Sequence, residues 1–217
     1  MIRFEKTEVT GWEAAIRGMR NPMNSWEKSD TIIDGERGGV THVWIGVDDK
    51  KLMRKLSSAG PAHRKFMRMV AVYVDVTAPF YWWKEYDTYK VGTVANSCST
   101  MHKLAGRPFT LDDFSHEFMD ERALESLRST ISVLEELRTQ YNSGLLKEDE
   151  KTEMWQSMVR LLPSCYNQRR TLMLNYEVLT NIYHSRKNHK LYEWREFCRW
   201  AESLPHSDLI TGKESNR

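Results

Sequence analysis

LPSCYNQRRTLMLNYEVLTNIYHSRKNHKLYEW, from Leu162 to Trp194, carries the pattern that decides the fold. Leu174, Val178, Leu179, Ile182 and Tyr183 recur at helical spacing, so Asn175 to Arg186 reads as a helix. Asn181 and Arg186 lie on roughly adjacent faces near its end. A guanidinium there can grip a phosphate with paired donors, and a carboxamide can read a ring edge. On residue types alone the stretch also describes a surface amphipathic helix that closes on an arginine, as the helix dipole favours.

Outward from this helix, further elements follow from pattern. Toward the N-terminus, Lys147 to Leu162 reads as a helix stopped by Pro163. Glu121 to Tyr141 is another, with Leu124, Leu127, Ile131, Leu134 and Tyr141 at spacings of three and four. Gly106 to Asp120 is irregular and aromatic. Toward the C-terminus, Lys190 to Leu204 turns Leu191, Trp194, Phe197, Cys198 and Ala201 inward, and 206–217 reads as a flexible polar tail.

The first half is more mixed. Ile2 to Thr10 alternates weakly as a strand, and Gly11 to Arg20 is a short helix broken at Pro22. Ser25 to Gly46, with Gly35, Gly38 and Gly39, reads as one long loop. Asp48 to Ala59 is a helix ended by Gly60-Pro61. Phe66 to Thr77 is the strongest strand: Phe66, Val70, Val72, Val74 and Val76 share one face. Met67, Met69, Ala71 and Tyr73 make the other face partly apolar, which predicts cover on both sides. Phe80 to Asp87 then reads as a helix led by Pro79. These elements describe an α+β fold, a small antiparallel sheet flanked by helices, in a single domain over 1–205.

Composition narrows the function. The chain has 217 residues, 40% hydrophobic and 29% charged, with net charge +2. That suits one packed soluble domain and gives no strong attraction to nucleic acid or membrane. No apolar run reaches the ~20 residues of a membrane helix, and the start lacks an apolar signal core. Cys98, Cys165 and Cys198 are widely spaced, without metal-ligand pairing, as expected of reduced cytoplasmic thiols. No phosphate-binding glycine loop, dinucleotide glycine set, zinc cluster or paired-carboxylate motif is present.

Leu162-Pro163, two asparagines, a helix-ending arginine and then His189 and Glu193 opening another helix are similar to the C-terminal module of the flavin-dependent thymidylate synthases. The spacing from Leu162-Pro163 to Arg186 matches without a gap; His189 and Glu193 match after one deletion. Val76-Thr77-Ala78-Pro79 resembles the family's strand-to-helix junction, and His63 falls where the family has Gly-His before its long strand. The resemblance runs from about Met19 to Pro205. It implies that Asn175 and Asn181 contact flavin, together with His63, His189 and Glu193. It implies that Arg186 holds the phosphate of dUMP, with Lys90, Thr93 and Arg160 as further substrate contacts. FAD is the implied cofactor, methyl transfer to C5 of a pyrimidine nucleotide the implied activity, and a homotetramer the implied assembly.

The family's signature loop departs from its pattern here. Thr88-Tyr89-Lys90 stands in place of Arg-His-Arg, so only Lys90 keeps a positive charge. Thr93 takes the first hydroxyl position and Asn96 replaces the Glu. Cys98 falls at the second Ser, or, with a register slip of one, Ser97 or Ser99 does; these three are the candidates for the catalytic position. Thr100-Met101 replaces Arg-Tyr, and Glu177 stands where members often carry Arg. Each lost charge-assisted contact weakens binding by about 1.5–3 kcal/mol. Three readings remain open: a divergent nucleotide-binding enzyme, a non-catalytic oligomer of the same fold with another ligand or a protein partner, and a helical interaction module whose Phe80-Tyr81-Trp82-Trp83 cluster is core or interface.

Overall fold

The structure is a computed structural model that describes residues 1–37 and 40–213. Gly38 and Gly39, read above as part of a long loop, and 214–217 of the tail lie outside the described residues. In chain order the elements are β1 (Arg3–Thr10), α1 (Trp12–Arg20), β2 (Ile32–Arg37), β3 (Val40–Trp44), α2 (Val47–Ser58), β4 (Ala71–Pro79), α3 (Phe80–Tyr86) and β5 (Val94–Ser97). They continue with α4 (Thr100–Lys103), α5 (Glu121–Asn142), α6 (Glu148–Leu161), β6 (Asn167–Asn175), α7 (Tyr176–Arg186), α8 (Tyr192–Glu202) and α9 (Asp208–Thr211). The fold is α+β, a small antiparallel sheet flanked by helices. Four strands lie in the order β1-β4-β6-β5, and β2 pairs antiparallel with β3 in a separate hairpin.

Four expectations are corrected. Phe66 to Met69 is not strand: Arg64–Met69 forms a 3-10 helix that buries Phe66 and Met67, and β4 begins at Ala71. The alternation then holds, with Val72, Val74 and Val76 buried, but Met69 and Tyr73 are exposed, so this part of the chain is covered on one side only. Ser25 to Gly46 is not one loop; a 3-10 turn over Trp26–Lys28 leads into the β2–β3 hairpin, whose register pairs Ile33 with Val43. The segment from 206 is not a loose tail as far as 213: α9 buries Asp208, Leu209 and Ile210, and Arg54 of α2 holds the Asp208 carboxylate at 2.6 Å. Leu209 and Ile210 supply an apolar pair that a mainly polar composition hides.

The sequence reads as one domain; the chain divides into two compact units. Unit 1 comprises Met1–Arg3, Val76–Thr88 and Asn96–Thr171. Its core is Leu104, Phe109, Phe114, Leu127, Leu134, Met158 and Cys165, with α5 and α6 packed side by side. Unit 2 comprises Phe4–Asp75, Tyr89–Ala95 and Leu172–Arg217. In it α7 packs against the 3-10 helix Arg64–Met69, α8 and α9, burying Leu179, Ile182 and Tyr183. A buried pair pins the start of unit 2. Arg20 and Asp49 meet at 2.7 Å, and Ser29 and Thr31 hydroxyls both donate to the same carboxylate. Burial alone raises the Asp49 carboxyl, but those hydroxyls and Arg20 more than reverse this and hold it below the ordinary range.

Candidate functional site

Helix α7 starts where its sequence provides a cap. The Asn175 side-chain oxygen accepts from the Val178 N–H at 3.0 Å. The loop from Tyr89 lies against this cap. Gly92 has φ +75°, and a Cβ there would stand 3.0 Å from Val178 and 3.2 Å from the Asn175 amide nitrogen. Only a residue without a side chain fits so close in that left-handed conformation. The Thr93 hydroxyl donates to the Tyr89 carbonyl and closes the loop.

The far end of α7 carries Arg186, half-buried. Its Nε donates to the Tyr89 hydroxyl at 2.8 Å. The guanidinium lies over the Trp194 ring at 4.7 Å and over the Tyr89 ring at 5.7 Å. Tyr89 and Trp194 meet edge to face, with centroids 5.9 Å apart. The Trp194 ring, the Tyr89 ring and the Tyr89 hydroxyl thus surround the guanidinium, contacts that lysine imitates poorly. His189 closes the turn into α8: its N–H donates to the Arg186 carbonyl at 2.9 Å, and its Nδ1 accepts from the Leu191 N–H at 3.2 Å. Glu193 is buried in the first turn of α8. Lys90, beside Tyr89, is exposed.

A second charged group lies at the start of α7. Glu177 is 8% exposed and is bridged by Arg64 at 3.4 Å and by Arg68. Burial raises its carboxyl, and the Arg68 and Arg64 guanidiniums outweigh that and leave it low. Arg64 also donates to the Asn181 side-chain oxygen at 2.9 Å. The buried Glu177 carboxylate is therefore answered by two arginines from the 3-10 helix. Sequence reading missed both, because Arg64 and Arg68 fall in a stretch that looks like the polar edge of a strand. Their spacing of four was the available signal. His63, just before that helix, is exposed, and its backbone N–H closes a turn on Gly60.

The remaining candidates belong to unit 1. Ser97, Cys98 and Ser99 are all exposed. Cys98 is held on both backbone sides: its N–H donates to the Arg169 carbonyl at 3.0 Å, and its carbonyl accepts from Gln168 Nε2 at 3.2 Å. The same Gln168 nitrogen donates to the Thr100 hydroxyl at 3.0 Å. Arg170 donates to the Gln168 side-chain oxygen and to Asp87, and lies 4.2 Å over the Trp83 ring. Gln168 and Arg170 organise the loop that carries the three candidates. Sequence pattern does not point to them, because β6 carries Asn167, Gln168, Arg169 and Arg170 in succession and shows no apolar alternation there. Arg160 is exposed on α6. Arg186, Lys90, Thr93, Asn175, Asn181, His63, His189 and Glu193 all belong to unit 2. Within it Arg186, His189 and the Lys90-to-Thr93 loop come together around Tyr89 and Trp194, while Asn181 belongs to the Glu177 group.

Among the described residues no group of three His, Cys, Asp or Glu is placed to hold a metal, and no helix is long and apolar enough to cross a membrane.

No protein-family model matches the chain, and no curated protein matches it in sequence. Solved structures do match. One is the flavin-dependent thymidylate synthase ThyX of Helicobacter pylori complexed with FAD and dUMP, at TM-score 0.67 and 17% identity, covering 97% of this chain and 98% of that one. A second structure of ThyX from the same organism, with FAD and dUMP, matches at TM-score 0.65 and 16% identity, covering 97% of each chain. At these identities the likeness is one of fold, along nearly the whole length.

Proposed function

We propose that this chain is a divergent flavin-dependent thymidylate synthase-like protein that binds a dUMP-like pyrimidine nucleotide through Arg186. The observation that carries the reading is the positioned guanidinium: the Tyr89 hydroxyl and the Trp194 ring hold it beside the loop of Lys90 and Thr93. A planar fork of donors suits a phosphate monoester, and Lys90 adds a second cation. The full-length likeness in fold to proteins solved with dUMP and FAD supports the ligand class.

FAD is the proposed cofactor, and the residues fit it unevenly. The exposed Asn181 offers its amide nitrogen, whereas the Asn175 oxygen is committed to the cap of α7 and its nitrogen faces Gly92 of the neighbouring loop. Asn181, His63, His189 and Glu193 are therefore the flavin contacts we propose, with Asn175 acting through the helix start. When bound, a reduced flavin supplies hydride in the methylation of a pyrimidine at C5. The chain's own part is to bind, orient and shield. Ser97, Cys98 and Ser99 are the proposed catalytic loop, and Arg160 a further cation for substrate. With Thr88-Tyr89-Lys90 in place of Arg-His-Arg, we expect dUMP binding to outlast efficient methylation.

The assembly we propose is a homotetramer. Exposed Trp26, Ile32, Ile33 and Trp44 at and before the β2–β3 hairpin supply apolar surface that closed symmetry covers. The three free cysteines are in keeping with a reducing cytoplasm. The alternative is a non-catalytic oligomer of the same fold, favoured by the charge reversal at Glu177. Purification without added ligand separates the two: a flavin absorbance band and dUMP binding support the first, and neither appears under the second.

A further inference from the structure

A cleft of about 460 Å³ opens in unit 1 where the 3-10 turn Leu104–Gly106 meets the end of α5 and the start of α6. Tyr141 and Trp155, both half-buried, give it two aromatic walls, one from each helix. The Asn142 amide nitrogen donates to the Ala105 and Arg138 carbonyls, each at 3.0 Å, which ties the turn to α5. The nitrogen thus serves two carbonyls, and the Asn142 oxygen is left as an acceptor. At Gly106 a Cβ would meet no atom within 4 Å, so the backbone borders open space there.

Glu148 and Lys151 line the same cleft from the first turns of α6. Their spacing of three favours an ion pair. Asp48 with Lys51, Glu135 with Arg138 and Glu196 with Arg199 form one at that spacing in this chain. Glu148 and Lys151 do not: the Lys151 ammonium lies 5.4 Å over the Tyr141 ring, and among the described residues neither group has an ion-pair partner. An anion and a cation therefore stay apart within one aromatic cleft. Their charges sum to zero, and Glu148 and the Asn142 oxygen oppose a phosphate, so the cleft does not suit a nucleotide. It suits a small molecule that carries both charges and a ring. Its volume is that of an ordinary ligand pocket, roughly 300–1,000 Å³.

We propose that this cleft binds an aromatic α-amino acid as its zwitterion. Lys151 takes the carboxylate, Glu148 and the Asn142 oxygen take the ammonium, and the ring lies against Trp155. Binding joins two charges that the fold leaves separate. The site belongs to unit 1 and needs no assignment of Arg186.

Calorimetric titration of the full chain with L-phenylalanine tests this. Phenethylamine, which lacks the carboxylate, and N-acetyl-L-phenylalanine, which lacks the ammonium, are the comparison probes. We expect L-phenylalanine to bind wild type roughly tenfold more tightly than either, the worth of about one charge-assisted contact. L-alanine keeps both charges without the ring and should also bind at least roughly tenfold more weakly. Glu148→Gln should weaken L-phenylalanine roughly tenfold and leave N-acetyl-L-phenylalanine unchanged. Lys151→Gln should weaken L-phenylalanine as much and leave phenethylamine unchanged. A merely structural role for either residue would weaken all the probes alike, and that result overturns the proposal. So does wild type that fails to bind L-phenylalanine or binds all four probes equally, or either variant binding L-phenylalanine as wild type does. A titration of dUMP run alongside keeps the two readings apart: dUMP failing while L-phenylalanine binds strikes the Arg186 reading and leaves this one intact.

Discussion

Tyr89 accepts a hydrogen bond from Arg186 Nε at 2.8 Å, joining the loop after α3 to the end of α7. By the sequence resemblance, Tyr89 falls at the middle position of an Arg-His-Arg triplet, where this chain reads Thr88-Tyr89-Lys90. It adds no charge but fixes the direction of one. Tyr89→Phe removes the acceptor and keeps the ring. We expect affinity for dUMP to fall roughly tenfold, on the order of one charge-assisted contact. The melting temperature should move little. Unchanged affinity would mean that Tyr89 does not position Arg186.

Gly92 gives a second, backbone test. Gly92→Ala places a Cβ 3.0 Å from Val178 at φ +75°. The strain is on the order of 1–3 kcal/mol if the loop stays docked. We expect the segment around Gly92 to lift rather than bear that strain, while Tyr89 stays held by Arg186. Proteolysis should then cut the loop faster in the variant than in wild type, while global stability changes less. A variant as resistant as wild type would show that the loop does not rest on the α7 cap.

The Arg20–Asp49 pair predicts behaviour in acid. The folded-state acidity of Asp49 is held below its ordinary value, so its ionised form favours the native state. That stability is present above about pH 4, the unfolded carboxyl range, and is lost as pH falls further toward the folded value. Asp49→Asn leaves Arg20 enclosed without its counter-charge and should destabilise by about 3–5 kcal/mol. Denaturant titrations between neutral pH and pH 3 read both effects. A stability flat across that range, or Asp49→Asn as stable as wild type, contradicts the assignment.

Much of this fold is legible from periodicity alone. The helices α5, α6, α7 and α8 follow from apolar spacing, and the Pro163 stop sets the end of α6 within a residue. The failures have physical reasons. Phe66 and Met67 are apolar, adjacent and near a true strand, so a 3-10 turn that buries both looks like its continuation. The hairpin at β2–β3 is exposed, so Ile32, Ile33 and Trp44 give no alternation with a core. β6 is hidden because its first half is polar, with Gln168 and Arg170 directed to partners of their own. For the site, the sequence points to Arg186 and Asn181. It hides the partners that orient them, Tyr89 and Arg64, because those lie some hundred residues away in the chain.

Assembly is open to a direct check. Static light scattering at micromolar concentration should give the mass of a tetramer of the 25.6 kDa chain. Replacing Ile33 and Trp44 with polar residues should lower that mass without unfolding the monomer, since both side chains are exposed. A wild-type monomer contradicts the proposed assembly.

The central claim is that Arg186 anchors a pyrimidine nucleotide. Calorimetric titration of dUMP into wild type and Arg186→Ala, each with and without FAD, tests it most directly. The account predicts binding to wild type and a loss of tenfold or more in the variant, about 1.5–3 kcal/mol for the missing guanidinium contact. Equal binding by both proteins, or no binding of dUMP by wild type under either condition, contradicts it.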